Sequence, residues 1–208
     1  SARAAPAPAW ALASRPPRIA DARRAFDRYI ELATDRKEAI LAAGERLTRR
    51  NAWVEAAAIY SRLSPDEITQ PGRHLTLAEL FLQGQVSDKP RVRAHVKRYL
   101  AAATELGPND RQRLTRLAGR LNGQRVFDPA VAIYRRLLPG ARNKVPVLEP
   151  LGAALIGIGL DNEADEVFRT YLEAVSHAPR SVEKVADIFY KARFYTRAKR
   201  YYDSLFKP

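Results

Sequence analysis

Apolar and polar positions follow a helical period along this chain, and the period itself recurs. Ala132-Ile-Tyr-Arg-Arg-Leu137 is a near copy of Ala58-Ile-Tyr-Ser-Arg-Leu63. Around the two copies, Phe127, Ala130, Tyr134 and Leu137 answer to Trp53, Ala56, Tyr60 and Leu63. Self-similarity at a fixed spacing marks a repeat architecture. Extended both ways, the small residue recurs at Ala22, Ala56, Val92, Ala130, Ala164 and Ala198, with gaps of 34, 36, 38, 34 and 34 residues. A bulky apolar residue stands four positions on from each, at Phe26, Tyr60, Val96, Tyr134, Phe168 and Tyr202. Three further comes another: Tyr29, Leu63, Tyr99, Leu137, Tyr171 and Leu205. Spacings of three and four put these residues on one face of a helix.

The same register predicts a preceding helix in each unit. Leu148, Leu151, Gly152 and Leu155 precede Ala164 and Phe168, and the equivalents are Ile40/Ala43/Gly44/Leu47, Leu114/Leu117/Ala118/Leu121 and Val182/Val185/Ala186/Phe189. The small residue of this first helix (Gly44, Ala118, Gly152, Ala186) lets the second helix approach closely, and stacking of pairs buries a core that no single pair could bury. With aliphatics in place of most aromatics, the spacing resembles that of the tetratricopeptide repeat (TPR) family from about Ala20 to Leu205. The resemblance implies an all-α fold, a right-handed α-α superhelix (solenoid) of about five to six helix pairs. Residues 19–208 then form the repeat domain, and the Ala- and Pro-rich residues 1–18 form a linker or N-terminal cap holding Trp10.

Along the chain, the first complete helix is expected over Ile19 to Ala33, then helices from Asp35 to Arg50 and from Trp53 to Leu63. Ser64-Pro65-Asp66-Glu67 reads as a stop followed by a new N-cap, ahead of a helix over Arg73 to Gln83 that ends at Gly84. Val86-Ser87-Asp88-Lys89-Pro90 then makes a longer turn, which accounts for the wider gaps. Gly107-Pro108-Asn109-Asp110 starts the fourth repeat. Its internal turn holds Asn122-Gly123 and Asp128-Pro129, with the proline at the first position of the next helix. Pro150 predicts a short or kinked helix in the fifth repeat, and Asp161-Asn162-Glu163 caps the helix after it.

Composition adds exclusions. No Cys is present, which removes disulfides, thiolate metal sites and a Cys nucleophile. No apolar run approaches the ~18 residues that a membrane span needs. Met is absent as well, initiator included, which points to a processed or excised piece. His74, His95 and His177 are assigned to different repeats without carboxylates at ligand spacing, and each reads as a surface or loop residue. Asp161, Glu163, Asp165 and Glu166 lack the glycine and distal glutamate of a calcium loop, and a helix N-terminus accounts for them. No nucleophile, phosphate loop or paired-carboxylate motif occurs, so no catalytic, metal or cofactor site is expected.

Binding remains, and charge is its main signal. The net charge is +13. Arg111, Arg113, Arg116, Arg120, Arg125, Arg135, Arg136, Arg142 and Lys144 face only Asp128 across one stretch, with Arg113, Arg116 and Arg120 on one helical stripe. An anionic polysaccharide is one reading of this patch. Nucleic acid ranks last, because no aromatics interleave the stripe as a stacking platform. The TPR resemblance implies another ligand surface, a groove lined by first helices that takes an extended peptide or partner helix. Matching positions here are Glu45, Thr48, Arg49, Glu79, Leu82, Gln83, Thr115, Asn122, Glu149, Ile156, Glu183, Asp187, Tyr190 and Lys191. The Lys and Asn clamp of the chaperone-binding subfamily is absent. The expected function is therefore a non-catalytic scaffold that recruits another protein into a larger assembly. Polymer binding by the basic fourth repeat, or service as the helical appendage of an enzyme, are the alternatives. The Ala/Arg/Pro-rich style resembles bacterial TPR modules of envelope machinery, which points to a periplasmic or envelope setting.

Overall fold

The computed structural model describes residues 19–83 and 86–206, with side chains from residue 24. Among these every element is helical and no strand occurs. The chain divides into two compact units, Ser1–His95 and Val96–Pro208, and the boundary falls within α5 (Lys89–Ala102). Expectations placed on residues 1–18, on Gly84 and on Lys207-Pro208 lie outside the described residues.

In the first unit, α1 (Ile19–Leu32), α2 (Arg36–Arg49), α3 (Trp53–Tyr60) and α4 (Pro71–Phe81) precede α5. Local chemistry sets their starts. The Asp35 carboxylate accepts from the Glu38 N–H at 3.0 Å and caps α2. Asp88 accepts from the Arg91 N–H at 3.1 Å at the start of α5, so Lys89 and Pro90 belong to that helix rather than to the turn before it. Ser64 and Glu67 do form a capping box, but it opens only a 3-10 turn, Pro65–Glu67. Ile68, buried and extended at φ −96°, ψ 108°, breaks the run. The next α-helix waits for Pro71, whose missing N–H costs nothing in a first turn. Likewise α3 stops at Tyr60, and a turn carries Leu63 into the core.

The second unit holds α6 (Pro108–Gly123), α7 (Phe127–Leu137), α8 (Val145–Gly157), α9 (Asp161–Ala174), α10 (Pro179–Lys191) and α11 (Tyr195–Ser204). Two expected turn dipeptides are helical. Asn122-Gly123 closes α6, and Pro129 is the third residue of α7, still within the turn whose N–H groups have no helical partner. Pro150 lies inside α8, which continues to Gly157. Burial of Leu148, Leu151 and Leu155, each at 2% exposure or less, holds the helix through the missing hydrogen bond.

Helices pack mainly as the pairs α2/α3, α6/α7, α8/α9 and α10/α11, and within the second unit α8 also packs on α7 and α6. The small residues act as the register predicts. A Cβ on Gly44 would stand 2.5 Å from the Tyr60 ring, and one on Gly152 would stand 2.6 Å from the Phe168 ring. Ala118 and Ala186 fill the equivalent places with no exposed surface. The fold is therefore all-α, of the repeated helix-pair (α-α solenoid) class.

One local device turns each pair. Asn51, Arg125, Gly159 and Arg193 are left-handed, with φ of 59°, 58°, 80° and 68°. The next N–H in each case reaches back to the end of the first helix: Ala52 to Leu47 (3.0 Å), Val126 to Leu121 (2.8 Å), Leu160 to Leu155 (2.9 Å), Phe194 to Phe189 (2.9 Å). This Schellman closure satisfies the last carbonyls of the first helix. The second helix begins at once, because the Ala52, Leu160 and Phe194 carbonyls accept its first bonds from Ala56, Ala164 and Ala198.

Candidate functional site

The faces of the first helices carry the residues expected to line a groove, and each unit presents its own set. In the first unit, Glu45 and Arg49 are exposed on α2 and pair with each other at 2.6 Å. The Thr48 hydroxyl donates back to the Gly44 carbonyl at 2.9 Å. Together with Arg73 and Thr76 of α4, Glu45 borders a shallow cleft floored by Tyr60. Burial pushes the Tyr60 hydroxyl pKa up, and Glu45 adds to the rise against Thr48 and Arg73. Glu79 and Gln83 are half-buried on or just past α4, whereas Leu82 is fully buried and belongs to the core.

In the second unit, Thr115 is exposed on α6, its hydroxyl donating to the Arg111 carbonyl. The Asn122 amide Nδ2 donates to the Pro150 carbonyl at 2.9 Å, tying α6 to α8, and its buried Oδ1 has no hydrogen-bond partner. Glu149 of α8 pairs with Lys184 of α10 at 2.7 Å, and this bond to Glu149 raises the Lys184 pKa. The Tyr171 hydroxyl joins them, 3.4 Å from both Glu149 and Ser181. Ile156 is buried at the end of α8. On α10, Glu183 is exposed, Lys191 lies 3.8 Å from Asp187, and Asp187 accepts from the Tyr202 hydroxyl. That bond carries the Tyr202 pKa to about 12. Tyr190 is 57% exposed and meets Tyr195, 58% exposed, edge to face at 5.5 Å. Lys184, Ser181 and Tyr171 escaped the sequence reading. Their signal was present, since Ser181 and Lys184 sit at first-helix surface positions of the sixth repeat.

The basic residues are divided by the fold. Arg113, Arg116 and Arg120 share α6, Arg113 half-buried and the other two exposed. Arg111 is turned inward, its guanidinium lying over Gly140 and its Nε donating to the Leu106 carbonyl at 3.2 Å. Arg125 occupies the left-handed turn after α6. Arg135 pairs with Glu163 of α9 at 2.6 Å. Arg136 donates to the Ala103 carbonyl at 2.7 Å and to that of Thr104, at the C-terminal end of α5. Arginines play the same joining part elsewhere. Arg62 pairs with Asp27, Arg91 donates to the Ser61 carbonyl at 2.8 Å, and Arg197 bonds Asp161 and Asn162.

Two buried polar centres lay outside the expectations. Asp165, 5% exposed, accepts from Tyr201 (2.7 Å), Arg169 (2.7 Å) and Arg200. His74 and His95 are 4% and 1% exposed, with their Nδ1 atoms 2.9 Å apart. They are core residues of one repeat, the third, rather than surface residues of different repeats. The register could have revealed them, since His74 falls where Ile40, Leu114, Leu148 and Val182 stand in other repeats. Among the described residues, no three potential metal ligands come together, and no helix is long and apolar enough to cross a membrane.

No protein-family model matches the chain, and no curated protein matches it at significance. Solved structures do. MamA from Desulfovibrio magneticus RS-1 is 13% identical, with 82% of this chain and 93% of that one covered at a TM-score of 0.46. MamA of strain AMB-1 is 18% identical, with 82% and 90% covered at a TM-score of 0.46. Pseudomonas aeruginosa pilF is 23% identical, with 88% and 75% covered at a TM-score of 0.39.

Proposed function

We propose that the protein is a non-catalytic scaffold that holds another protein on its first-helix faces and so recruits it into a larger assembly. One observation carries this reading. Tyr190 stands exposed on the first helix α10, beside Asp187 and Lys191, and is braced at 5.5 Å by exposed Tyr195 at the start of α11. Fixed aromatics offer a large apolar area at small entropic cost, and polar groups around them exclude water from the contact. The Ala/Arg/Pro-rich composition extends the proposal to a bacterial envelope machine such as one for exopolysaccharide export, with a periplasmic or envelope-associated location.

A second reading, binding of an anionic polymer such as a polysaccharide on the α6 stripe, draws on the exposure of Arg116 and Arg120. It has less support, because Arg111, Arg135 and Arg136 are bound within the fold. Pull-downs from native lysate at low salt and at about 0.5 M salt separate the two. The bait proteins are wild type, Tyr190→Ala/Tyr195→Ala and Arg113→Glu/Arg116→Glu/Arg120→Glu. The scaffold reading expects a defined protein that survives salt and the arginine changes and is lost about ten-fold or more with the tyrosine changes. Recovery of polyanions alone, abolished by salt and by the arginine changes, would transfer the function to the stripe.

A further inference from the structure

The third repeat differs from the others at two core positions at once. His74 occupies the slot held elsewhere by Ile40, Leu114, Leu148 and Val182, all 4% exposed or less. His95 occupies the slot of Ile59, Ile133 and Tyr201, all likewise buried. The two imidazoles meet at Nδ1, 2.9 Å apart, with ring centroids at 5.2 Å. Phe81 stacks on His95 at 5.6 Å with ring planes 5° apart, and Arg91 lies over the Phe81 ring. The sixth repeat repeats this arrangement with Phe189, Tyr201 and Arg197. What is particular to the third repeat is that the polar atom of its ring is satisfied by a second histidine.

We propose that His74 and His95 form a one-proton lock on α4 and α5, closed at neutral pH and opened by acid. A neutral imidazole has one N–H and one acceptor nitrogen. At 2.9 Å one Nδ1 therefore donates and the other accepts, so the rings hold opposite tautomers. One added proton keeps the bond but buries a charge away from water. A second sets N–H against N–H and breaks it. Charged and titratable groups on the adjoining elements are Arg73 and Glu79 on α4; Lys89, Arg91, Arg93, Lys97, Arg98 and Tyr99 on α5; Glu55 and Tyr60 on α3; and Arg36, Lys37, Glu38, Glu45, Arg46 and Arg49 on α2. Asp88, before α5, is paired with Arg91 at 3.2 Å.

In the opened segment both histidines titrate near the usual value of about 6.5. The closed pair holds its protons less well, so the opened state binds more protons in acid. Stability is full above about pH 6.5 and falls below it. From pH 7.5 to 5.0 the opening equilibrium rises ~30-fold for one proton taken up and on the order of 1,000-fold for two.

Hydrogen exchange on the full chain at pH 7.5 and 5.0, corrected for intrinsic exchange rates, reads this directly. The expected result is a loss of protection of ~30-fold or more in α4 and the first half of α5, with little change in α8 and α9, which carry no histidine. His74→Leu/His95→Tyr should abolish the difference. Equal loss in α8 and α9, or an unchanged acid response in the double variant, would overturn the lock. Should that variant fail to fold, ¹⁵N imidazole spectra of the wild type decide. Two rings of opposite tautomer that resist protonation below the ordinary imidazole value of about 6.5 are expected, whereas two rings titrating together at that value would end the proposal.

Discussion

At the scale of single residues, the substitutions that depart from the repeat pattern come in compensating sets. Asp165 sits one position past the repeat's small residue, where Ala57 and Val131 are buried in other repeats. Tyr201 sits where Ile59 and Ile133 lie. Each brings a polar atom into the core, and each satisfies the other at 2.7 Å. Burial alone would raise the Asp165 pKa, but bonds from Tyr201 and Arg200, with the fields of Arg200 and Arg169, outweigh it and hold the carboxyl below the usual carboxylate range. Burial, with the bond to Asp165, pushes Tyr201 up to about 12. The folded value of Asp165 lies below its unfolded one, so its contribution is present above about pH 4 and fades as pH falls through the folded value. Asp165→Ala should cost about 1–3 kcal/mol in urea unfolding at pH 7, mostly because the Tyr201 hydroxyl is left buried and unpaired. Adding Tyr201→Phe should recover part of that loss. If Asp165→Ala were as stable as wild type at pH 7, the bonds to Asp165 would contribute nothing net.

At the scale of elements, the left-handed turn residue decides how each pair closes, and the chain fills the four places with Asn, Gly and, twice, Arg. Gly159 is suited to φ 80°, while Arg125 and Arg193 at 58° and 68° carry a Cβ in a conformation that costs an L-residue about 1–2 kcal/mol. Arg193→Gly should therefore raise stability by about 0.5–1 kcal/mol, and Gly159→Ala should lower it by about 1 kcal/mol. For a chain of this length, 1 kcal/mol moves the melting temperature by roughly 2–4 °C, which calorimetry resolves. A fall in melting temperature for Arg193→Gly would mean that the guanidinium does more at this turn than its backbone costs. These turns were only partly legible in the sequence. Asn122-Gly123 and Asp128-Pro129 look like turn residues, yet the pair turns at Gln124 and Arg125 between them. A proline in the first helical turn and a glycine in the last are compatible with helix, so the break falls where the Schellman bond closes. The Ser64 cap was read correctly, but Ile68, drawn into the core, ended the run it began.

At the scale of the molecule, the recurrence of small and large apolar residues was enough to predict paired helices, because packing of a ring against a missing Cβ depends on spacing alone. Gly44 under Tyr60 and Gly152 under Phe168 are that rule in space. Charge was less legible, since a run of arginines does not reveal which carbonyls and carboxylates of neighbouring helices they meet. Arg136 and Arg135 reach residues 33 and 28 positions away, distances that become contacts only through the repeat. The same periodicity predicts how damage spreads. In stacked repeats each pair is stabilised by itself and its neighbours, so a lesion weakens its surroundings first. Phe168, with no exposed surface, fills the space over Gly152 and meets Phe189 edge-on at 5.5 Å. Phe168→Ala removes both contacts and leaves a cavity, a change worth about 3–5 kcal/mol. Hydrogen exchange should then show α8, α9 and α10 losing protection by a large part of that amount, while α2 and α3, in the other unit, keep theirs. Uniform loss in all helices would instead mean that the chain unfolds as one cooperative body, with stability shared along its whole length rather than held pair by pair.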